Sequence, residues 1–398
     1  MTNLDYLYNP DAAKDICDNH FVDKKLSFQV IERGTILPNH YKQINGKTSD
    51  IFGGIVDGKG EYIRGSHVYH SIGSAYTPAE KVEYVPMTVV YLGLLCGVWG
   101  HAITDSLRRL WFLKDESFLS NFKNCPLVYI TYGGEDVFSQ VPNFKRLPEI
   151  LELDIGKWKR IDRPVQFENI ILPDESFFGE NDRFFTSEYH EMIDRVKNFA
   201  LKNRTPTSSK KIYFHYGVNQ TGAERLAEYF KSKNYKPVSP ELLTFDEQLN
   251  LLINAESFAS TLGSCAHNSL FLREGTEAIF IPRTANRFTN YYQAAINQLN
   301  NLNAVYIDSA LSLFGYKNPA YCFIISRQLK NFFGDEFNGY SEEDFKTFLE
   351  YVKVCINNGL EINRDSEKYY GEVLQDFLLQ LGRREDLTTE YGLKFYWE

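Results

Sequence analysis

The sequence predicts an α/β protein whose second half is built around a doubly wound parallel sheet, and three observations lead to this fold class. Across residues 206–317, short apolar runs alternate with segments of about 10–15 residues that have helical periodicity, as in parallel sheets covered by helices. The chain has 398 residues, which is enough for two domains of ordinary size. Hydrophobic residues make up 43 % and charged residues 24 %, so the chain is not disordered, collagen-like or a coiled coil.

The first half of the chain begins with short strands and continues as alternating strands and helices. Residues 1–84 are rich in glycine, tyrosine and histidine, and turns between short apolar runs predict a β-rich part. Residues 84–104 carry no formal charge and are long enough to cross a bilayer, but their proline and glycines favour a strand over 88–95, a turn and a helix start. Leucines at helical spacing continue that helix to Leu113, and CPLVYITY and VQFENIILP predict two further strands.

Three parts follow from the pattern. A polar, helix-prone connector over 174–205 predicts a boundary near 205, so residues 1–205 are an N-terminal α/β domain. Residues 206–317 are a Rossmann-like domain with strands at KKIYFHY, SFAST, EAIFIP and NAVYID. Residues 318–398 are a helical extension. The sequence does not decide whether these helices form a bundle, return a helix to the N-terminal domain or mediate dimerisation.

Charge and cysteine usage exclude several classes of protein. The net charge of −9 and the pI of about 5.5 argue against a nucleic-acid partner. The six cysteines are widely spaced and form no C-x-x-C pair, which argues against a disulfide framework or a zinc site and indicates a reducing compartment. The N-terminus has no secretory signal pattern, so we expect a cytoplasmic protein. The chain contains no G-x-G-x-x-G, G-x-S-x-G, H-E-x-x-H or D-x-D motif.

The first candidate site lies in WGHAITDSLRRLWFL, just after the predicted strand over 88–95. His101 and Asp105 are four residues apart, so they share one face of a helix. A carboxylate at this edge of an α/β sheet can accept a proton from a hydroxyl, and a neighbouring histidine can orient it. The alternative is that the two side chains only satisfy each other or cap the helix.

The second candidate site lies in TLGSCAHNSLFLREG. Gly263 lets the backbone approach a ligand closely, and a helix that begins there suits a phosphate or diphosphate. Ser264, Cys265, His267 and Asn268 occupy this turn. The alternative is an ordinary glycine loop in which Asn268 binds the backbone.

Two further residues follow strands at the same predicted sheet edge. His215 ends KKIYFHY, and Arg283 comes directly after EAIFIP. Either side chain can meet a phosphate there. The alternatives are a packed or surface histidine and a surface salt bridge.

These segments, in this order, resemble glycosyltransferase family 61, whose bacterial members include capsular polysaccharide biosynthesis proteins. GHAITDSLRRL resembles the family pattern G/F-H-W-x-x-D-x-L-P-R-L, and the stretch from Phe245 to Phe271 resembles its second block. The resemblance covers about residues 85–285. The matching residues are His101, Asp105, Leu107, Arg109 and Leu110 in the first block, and Phe245, Gln248, Ala255, Glu256, Gly263, Asn268 and Phe271 in the second.

The resemblance implies an inverting transferase of the GT-B type, with two Rossmann-like domains facing a cleft. The C-terminal domain would bind a nucleotide sugar, UDP-linked by expectation, and the N-terminal domain a glycan or lipid-linked oligosaccharide acceptor. Neither a bound metal nor a cofactor is expected, and such an enzyme acts in the cytoplasm or at the inner face of the membrane. Asp105 would be the general base and His101 its positioning residue, with His101 as the weaker candidate for the base. Arg109 and Gln248 would bind the acceptor or give structural support.

Two departures from the family pattern bear on the donor. Leu262 stands where a histidine often precedes the central glycine, and His215-Tyr216 stands where Ser-Arg is common. We expect His215, His267 or Arg283 to replace that arginine at the donor phosphates. The main alternative is a non-catalytic glycan-binding or assembly subunit of a polysaccharide machine. An α/β oxidoreductase is disfavoured, because the glycine fingerprint is missing.

Overall fold

The computed structural model describes residues 2–8, 10–44, 47–67, 74–79, 81–132, 135–178, 184–215, 220–283, 291–311 and 321–357. Its strands are β1 (Thr2–Tyr6), β2 (Phe28–Glu32), β3 (Thr35–Ile44), β4 (Lys47–Val56), β5 (Tyr62–Ile63), β6 (Glu83–Leu95), β7 (Leu127–Thr131), β8 (Trp158–Arg160), β9 (Val165–Pro173), β10 (Lys211–Phe214), β11 (Lys236–Val238), β12 (Ser257–Thr261), β13 (Glu277–Ile281), β14 (Asn303–Ile307), β15 (Ala310–Leu311) and β16 (Cys322–Phe323).

The helices are of two kinds. The α-helices are α1 (Trp99–Ile103), α2 (Glu116–Phe122), α3 (Val137–Gln140), α4 (Arg146–Ile150), α5 (Ser187–Lys202), α6 (Ala223–Ser232), α7 (Phe245–Asn254), α8 (Tyr291–Leu299), α9 (Arg327–Phe332) and α10 (Glu342–Asn357). The 3₁₀ helices are Pro10–Cys17, Asp105–Leu107, Leu110–Lys114, Pro142–Lys145, Ile155–Lys157, Pro240–Leu242 and Ala266–Phe271.

The chain divides into two units, each described here by itself. Unit I combines Met1–Asn19 with the residues from Arg204 onward, and unit II is His20–Asn203. This division differs from the predicted one, which placed residues 1–19 with the rest of 1–205. The reason is β1, which pairs in parallel with β14 of unit I.

Unit I is built on the predicted parallel sheet. The strand order is β1-β14-β13-β12-β10-β11, and every neighbouring pair is parallel. From β10 the chain moves outward to β11 and then returns to β12 on the other side of β10. The order therefore reverses between β10 and β12, which is where open α/β sheets bind ligands, outside the carboxyl ends of the strands. Buried Tyr213, Ala259 and Ile279 of the sheet pack in one cluster with Leu226 and Phe230 of α6.

Asp308, directly after β14, fixes the N-terminal segment. Its backbone N–H donates to the Tyr6 carbonyl at 3.1 Å, and its Oδ2 accepts from the Tyr8 N–H at 2.8 Å. The side chain is only 3 % exposed, and this burial raises the pKa of the Asp308 carboxyl from 3.8 to about 7. The Tyr8 hydrogen bond opposes that rise.

We expect the Asp308→Asn variant to remove part of the pH dependence of stability. The folded state binds the proton more tightly than the unfolded state, so stability falls by about 1.4 kcal/mol per pH unit as the pH rises from about 4 to about 7. Asparagine keeps an oxygen for the Tyr8 N–H and does not ionise. The Tm of the variant, relative to wild type, should therefore rise from pH 5 to pH 8. Parallel Tm profiles would contradict this expectation.

Unit II contains an eight-stranded mixed sheet. Its order is β5-β4-β3-β9-β6-β7-β8, with β2 paired to β9 beside this path. The strands β9, β6, β7 and β8 are mutually parallel, whereas β2 and β3 run antiparallel to β9. The segment predicted to be β-rich, residues 1–84, contains β2–β5. The chain runs from β6 outward to β7 and β8 and returns to β9 on the other side of β6, so the order reverses between β6 and β9.

The uncharged stretch 84–104 forms most of β6 and all of α1, and the strand predicted over 88–95 lies within β6. The second half of this strand is buried on both faces, and its two edges are paired with β7 and β9. That burial explains the absence of charge. In the part of the chain that the structure describes, we find no helix with both the length and the apolar composition needed to cross a bilayer.

Three helical predictions need correction. The single helix predicted from His101 to beyond Leu113 is broken into α1 and two 3₁₀ helices. Half of the segment predicted as a helix-prone connector over 174–205 is α5, and this helix is not a mere connector, because its apolar face is buried in unit II. The predicted helical extension contains a short strand, β16, before α9 and α10, and its residues after 357 lie outside the described part of the chain.

Candidate active site

His101 and Asp105 follow β6, at the point where the strand order of unit II reverses. His101 lies on the last turn of α1, and Asp105 begins the next 3₁₀ helix. Thr104 ends α1, and its Oγ1 donates to the Gly100 carbonyl at 2.8 Å. The break does not separate the pair: His101 Nδ1 lies 2.5 Å from Asp105 Oδ2. The predicted i, i+4 contact is therefore present although the continuous helix is not.

The side chains of His101 and Asp105 differ in burial, and this difference determines which of them a substrate can reach. The His101 side chain is 19 % exposed, whereas the Asp105 side chain is 4 % exposed. When Nδ1 donates its proton to the carboxylate, Nε2 of the neutral imidazole is the acceptor nitrogen. The prediction that the Asp105 carboxylate itself takes a proton from a hydroxyl conflicts with its burial. The geometry instead suits Asp105 as the residue that orients His101.

Buried polar groups surround Asp105. The Tyr189 hydroxyl lies 3.5 Å from the Thr104 carbonyl, and burial raises the pKa of this hydroxyl well above its ordinary value. The charge of Asp105 raises that pKa further, whereas the charge of Arg108 lowers it. Both charges therefore act on the Tyr189 hydroxyl.

Arg109 gives structural support, one of its two predicted roles. Its guanidinium donates to the carbonyls of Pro173 and Gly65 and binds Glu175 Oε1 at 2.9 Å. Arg108 contacts the same carboxylate at 3.4 Å. Burial lowers the pKa of Arg109, and Glu175 opposes this shift. These contacts hold the segment after β9 against the segment after β6, which is the edge that carries His101.

Three predicted residues follow neighbouring strands of unit I at the other reversal point. His215 comes after β10, Gly263 after β12 and Arg283 after β13. The registers place Phe214 beside Ser260 and Thr261 beside Ile281, so these ends share one edge of the sheet. His215 is half-buried, and its ring stacks on Tyr213 with centroids 5.4 Å apart.

Arg283 lies directly against Gly263. Gly263 has φ +124°, and a Cβ built on it would come within 2.0 Å of Arg283 Nη2. The guanidinium Nη1 donates to the Tyr321 hydroxyl at 3.3 Å, and its Cζ lies 5.6 Å from the centre of the Tyr321 ring. Among the described residues, no carboxylate forms an ion pair with Arg283. A guanidinium held by a neutral tyrosine at a ligand-binding edge suits a phosphate group.

The loop after Gly263 differs from the predicted helix start. It leads into a six-residue 3₁₀ helix, and the N–H groups of Ala266 and His267 both donate to the Gly263 carbonyl. The amides of Ala266 and His267 therefore form hydrogen bonds within the loop. Burial raises the pKa of the Cys265 thiol to about 12; the charge of Glu241 raises it further, and Arg283 lowers it. The thiol is thus a packed neutral group, and Ser264 remains the half-buried side chain of the turn.

Three other predicted side chains are used within the protein. Asn268 is fully buried and donates to the carbonyls of Cys265 and Ser264, as in the alternative considered for this loop. His267 is 8 % exposed, and its Nδ1 lies 3.1 Å from Gln293 Oε1. Gln248 donates to the Pro240 carbonyl at 2.8 Å and supports the turn before α7. The prediction of donor contacts for Asn268 and His267 is therefore replaced by roles in shaping the loop.

Sequence reasoning missed Tyr321 and Glu175, which hold Arg283 and Arg109 respectively. Neither residue belongs to a motif, so only the fold reveals these contacts. In the described ranges, no group of three or more histidine, cysteine or acidic side chains is arranged to hold a metal ion.

Comparison with known proteins bears on the sites of both units. A family model described as Glycosyltransferase 61 matches residues 99–279, a segment that includes His101, Asp105 and Gly263. No curated protein matches the chain. Among solved structures, the chain has a weak similarity to the crystal structure of the bacterial iron-containing dodecameric glycosyltransferase TibC from enterotoxigenic E. coli H10407. The identity is 13 % and the TM-score 0.22, over 67 % of this chain and 78 % of that chain. The family match shows that residues 99–279 are similar to glycosyltransferase family 61.

Proposed function

We propose that this chain, with a segment matched by the glycosyltransferase 61 model, is an inverting transferase that moves a sugar from a nucleotide-diphosphate donor to a glycan hydroxyl. The observation that carries the proposal is the 2.5 Å contact between His101 and Asp105 at a ligand-binding edge of unit II. An oriented histidine is the usual group for taking a proton from a hydroxyl near neutral pH. The GT-B arrangement stays a prediction.

In the proposed reaction, His101 is the general base. Its Nε2 takes the proton of the acceptor hydroxyl while the oxygen attacks the anomeric carbon of the donor. Asp105 keeps Nδ1 protonated and stabilises the imidazolium that forms, as a carboxylate behind a catalytic histidine does. These roles reverse those expected from the sequence, and the exposures of the two side chains support the reversal.

Arg283 is the proposed ligand of the leaving diphosphate. The bond between the anomeric carbon and the phosphate oxygen breaks, and its electron pair leaves with the nucleotide. A guanidinium at the phosphates neutralises that charge and binds two oxygens at once. We propose that Gly263 admits the phosphates to Arg283 and that Ser264 and His215 border them. The inverted configuration follows because one displacement occurs on the face opposite the leaving group.

A panel of UDP-sugars tests this function. Purified protein is incubated with UDP-glucose, UDP-galactose, UDP-N-acetylglucosamine and UDP-xylose and with oligosaccharide acceptors, and UDP release is measured. NMR of the product reports the anomeric configuration, which should be inverted. If calorimetry detects no UDP or UDP-sugar binding, the non-catalytic glycan-binding or assembly subunit replaces the proposal.

We expect Gly263→Ala to weaken UDP binding at least about tenfold and to lower the Tm. An alanine at φ +124° is strained by about 1–3 kcal/mol, and its Cβ would displace the Arg283 guanidinium. Gly275 is the matched control, because its φ is +72° and a Cβ there would meet no atom within 4 Å. Both variants should lose stability, but Gly275→Ala should keep full UDP affinity in calorimetry. Equal affinity in both variants would contradict the proposed contact.

A further inference from the structure

The hydroxyl group of Tyr321 lies beside Arg283, at the edge of unit I that also carries Gly263. Tyr321 comes directly before β16, which pairs with β15, and β15 follows closely after β14 of the parallel sheet. This connection brings a residue from beyond the sheet to the carboxyl ends of its strands. The family model ends at residue 279, so it matches neither Arg283 nor Tyr321. Any role of Tyr321 must therefore be inferred from its contacts.

The position of the Tyr321 ring is fixed by its neighbours. The ring lies against Phe323, with centroids 5.4 Å apart and planes at 62°. The Phe323 N–H donates to the Thr221 carbonyl at 2.9 Å, and a Cβ built on Gly222 would come within 2.0 Å of the Phe323 carbonyl oxygen. The strand β16 is therefore packed closely on the beginning of α6. A side chain that is held in place before its ligand arrives loses less entropy on binding.

The direction of the hydrogen bond between Arg283 and Tyr321 leaves the hydroxyl proton of Tyr321 unused. A guanidinium carries only donors, so the Tyr321 oxygen accepts from Arg283 Nη1 at 3.3 Å. The phenolic O–H is then left to donate to another group. None of the described residues accepts a hydrogen bond from this proton or from Nε and Nη2 of Arg283. Three donor groups are thus available side by side.

The surroundings of these donors favour an anionic ligand. Arg283 and Tyr321 are both half-buried, so a ligand can reach them while part of the surrounding water is excluded. A phenol whose oxygen accepts from a cation is a stronger donor, because each hydrogen bond in a chain polarises the next. A neutral ligand would leave the charge of Arg283 unpaired. The oxygens of a diphosphate both match the donors and neutralise the cation.

We propose that the Tyr321 hydroxyl is a second ligand of the diphosphate group that Arg283 binds. The hydroxyl accepts a hydrogen bond from the guanidinium and donates one to a phosphate oxygen, so it connects the cation to the anion. This assignment deepens the proposed function and rests on it for the choice of a diphosphate among anions. The same phenol also keeps the guanidinium from turning away from the ligand.

Calorimetry of the full chain with UDP and with inorganic pyrophosphate tests this assignment. Tyr321→Phe keeps the ring and its packing on Phe323 but removes the O–H group. It should weaken the binding of both probes about tenfold, as expected for the loss of one hydrogen bond to a charged group. Tyr229→Phe is the matched control, because Tyr229 is also half-buried in unit I and its hydroxyl donates to a carboxylate, that of Asp335, at 2.7 Å. This control should bind both probes like wild type.

The double variant Arg283→Gln/Tyr321→Phe separates a direct phosphate contact from a role in holding Arg283 alone. ³¹P NMR line broadening at millimolar pyrophosphate detects the weak binding that remains when Arg283 is replaced. If the hydroxyl contacts the phosphate, Tyr321→Phe should weaken binding in the Arg283→Gln background as well.

Three results would overturn the assignment of Tyr321. They are wild-type protein that binds neither probe, Tyr321→Phe that binds both probes like wild type, and Tyr321→Phe without effect in the Arg283→Gln background. Failure of the proposed function looks different. Wild-type protein that transfers no sugar, but binds pyrophosphate more tightly than Tyr321→Phe does, would reject the transferase and leave the diphosphate contact of Tyr321 standing.

Discussion

A His101→Ala variant should transfer sugar about 10²–10⁴-fold more slowly than wild type, while its affinity for UDP stays within about twofold. The loss is expected because Nε2 of His101 is the proposed proton acceptor, and alanine offers no replacement. Rates of UDP release under saturating donor and acceptor give kcat, and calorimetry gives the UDP affinity. A variant that keeps more than about a tenth of the wild-type rate would reject His101 as the base.

Two further variants make this result specific. His190 and Asp194 on α5 are also four residues apart, with Nε2 3.5 Å from Oδ2, but they lie on the surface. His190→Ala should therefore leave transfer unchanged. Asp105→Asn should cause an intermediate loss, because asparagine keeps an oxygen for Nδ1–H but removes the charge that stabilises the imidazolium. A complete loss in Asp105→Asn with full activity in His101→Ala would restore the carboxylate as the base.

An Arg283→Gln variant should bind UDP about 10–100-fold more weakly, as expected for losing charge-assisted hydrogen bonds to a phosphate. Transfer should fall at least as much, because the same cation stabilises the leaving diphosphate. Arg283→Lys should recover part of the affinity, since it keeps the charge but not the planar pair of donors. Calorimetry with UDP and with uridine separates phosphate from nucleoside contacts, and only the UDP affinity should change.

Arg273 is the matched control for Arg283. The two arginines flank the same strand, Arg273 before β13 and Arg283 after it, so they lie at opposite ends of the sheet. Arg273 is exposed and donates to the Ala255 carbonyl at 3.2 Å. Arg273→Gln should therefore leave UDP binding intact. If both glutamine variants lost the same UDP affinity, the loss would be due to the change in the net charge of the protein and not to a phosphate site after β13.

The parallel sheet of unit I could be predicted from local sequence, and the position of β1 could not. Buried parallel strands read as continuous apolar runs, which is why EAIFIP and NAVYID were informative. β1 reads TNLDY, a mixed segment without such a run. Its place is decided by pairing with residues around 304–307, a contact that no local pattern encodes. For the same reason, β16 could not be predicted from local sequence.

The sequence indicated which residues form the candidate sites better than it indicated what each residue does. Spacing alone brings His101 to Asp105, and strand ends alone bring His215, Gly263 and Arg283 to one edge. Which member of a pair is buried depends on the surrounding packing, which is why the roles that we propose for His101 and Asp105 are the reverse of those expected from the sequence. A helix start after Gly263 would have offered the amides of Ala266 and His267 to a phosphate, but these amides donate to the Gly263 carbonyl in a 3₁₀ turn, so the proposed phosphate contacts lie with Arg283, Ser264 and His215.

The distant pairing of β1 has a consequence for biosynthesis. Translation delivers β1 about 300 residues before the strand that it must join, as the Tyr8–Asp308 contact spans that separation. All of unit II emerges from the ribosome in between. During that interval the β1 segment has been synthesised but cannot form its hydrogen bonds, because β14 has not yet been made. Unit I therefore cannot mature until synthesis has passed β14, so its sheet must close after the segment that forms unit II has already been made.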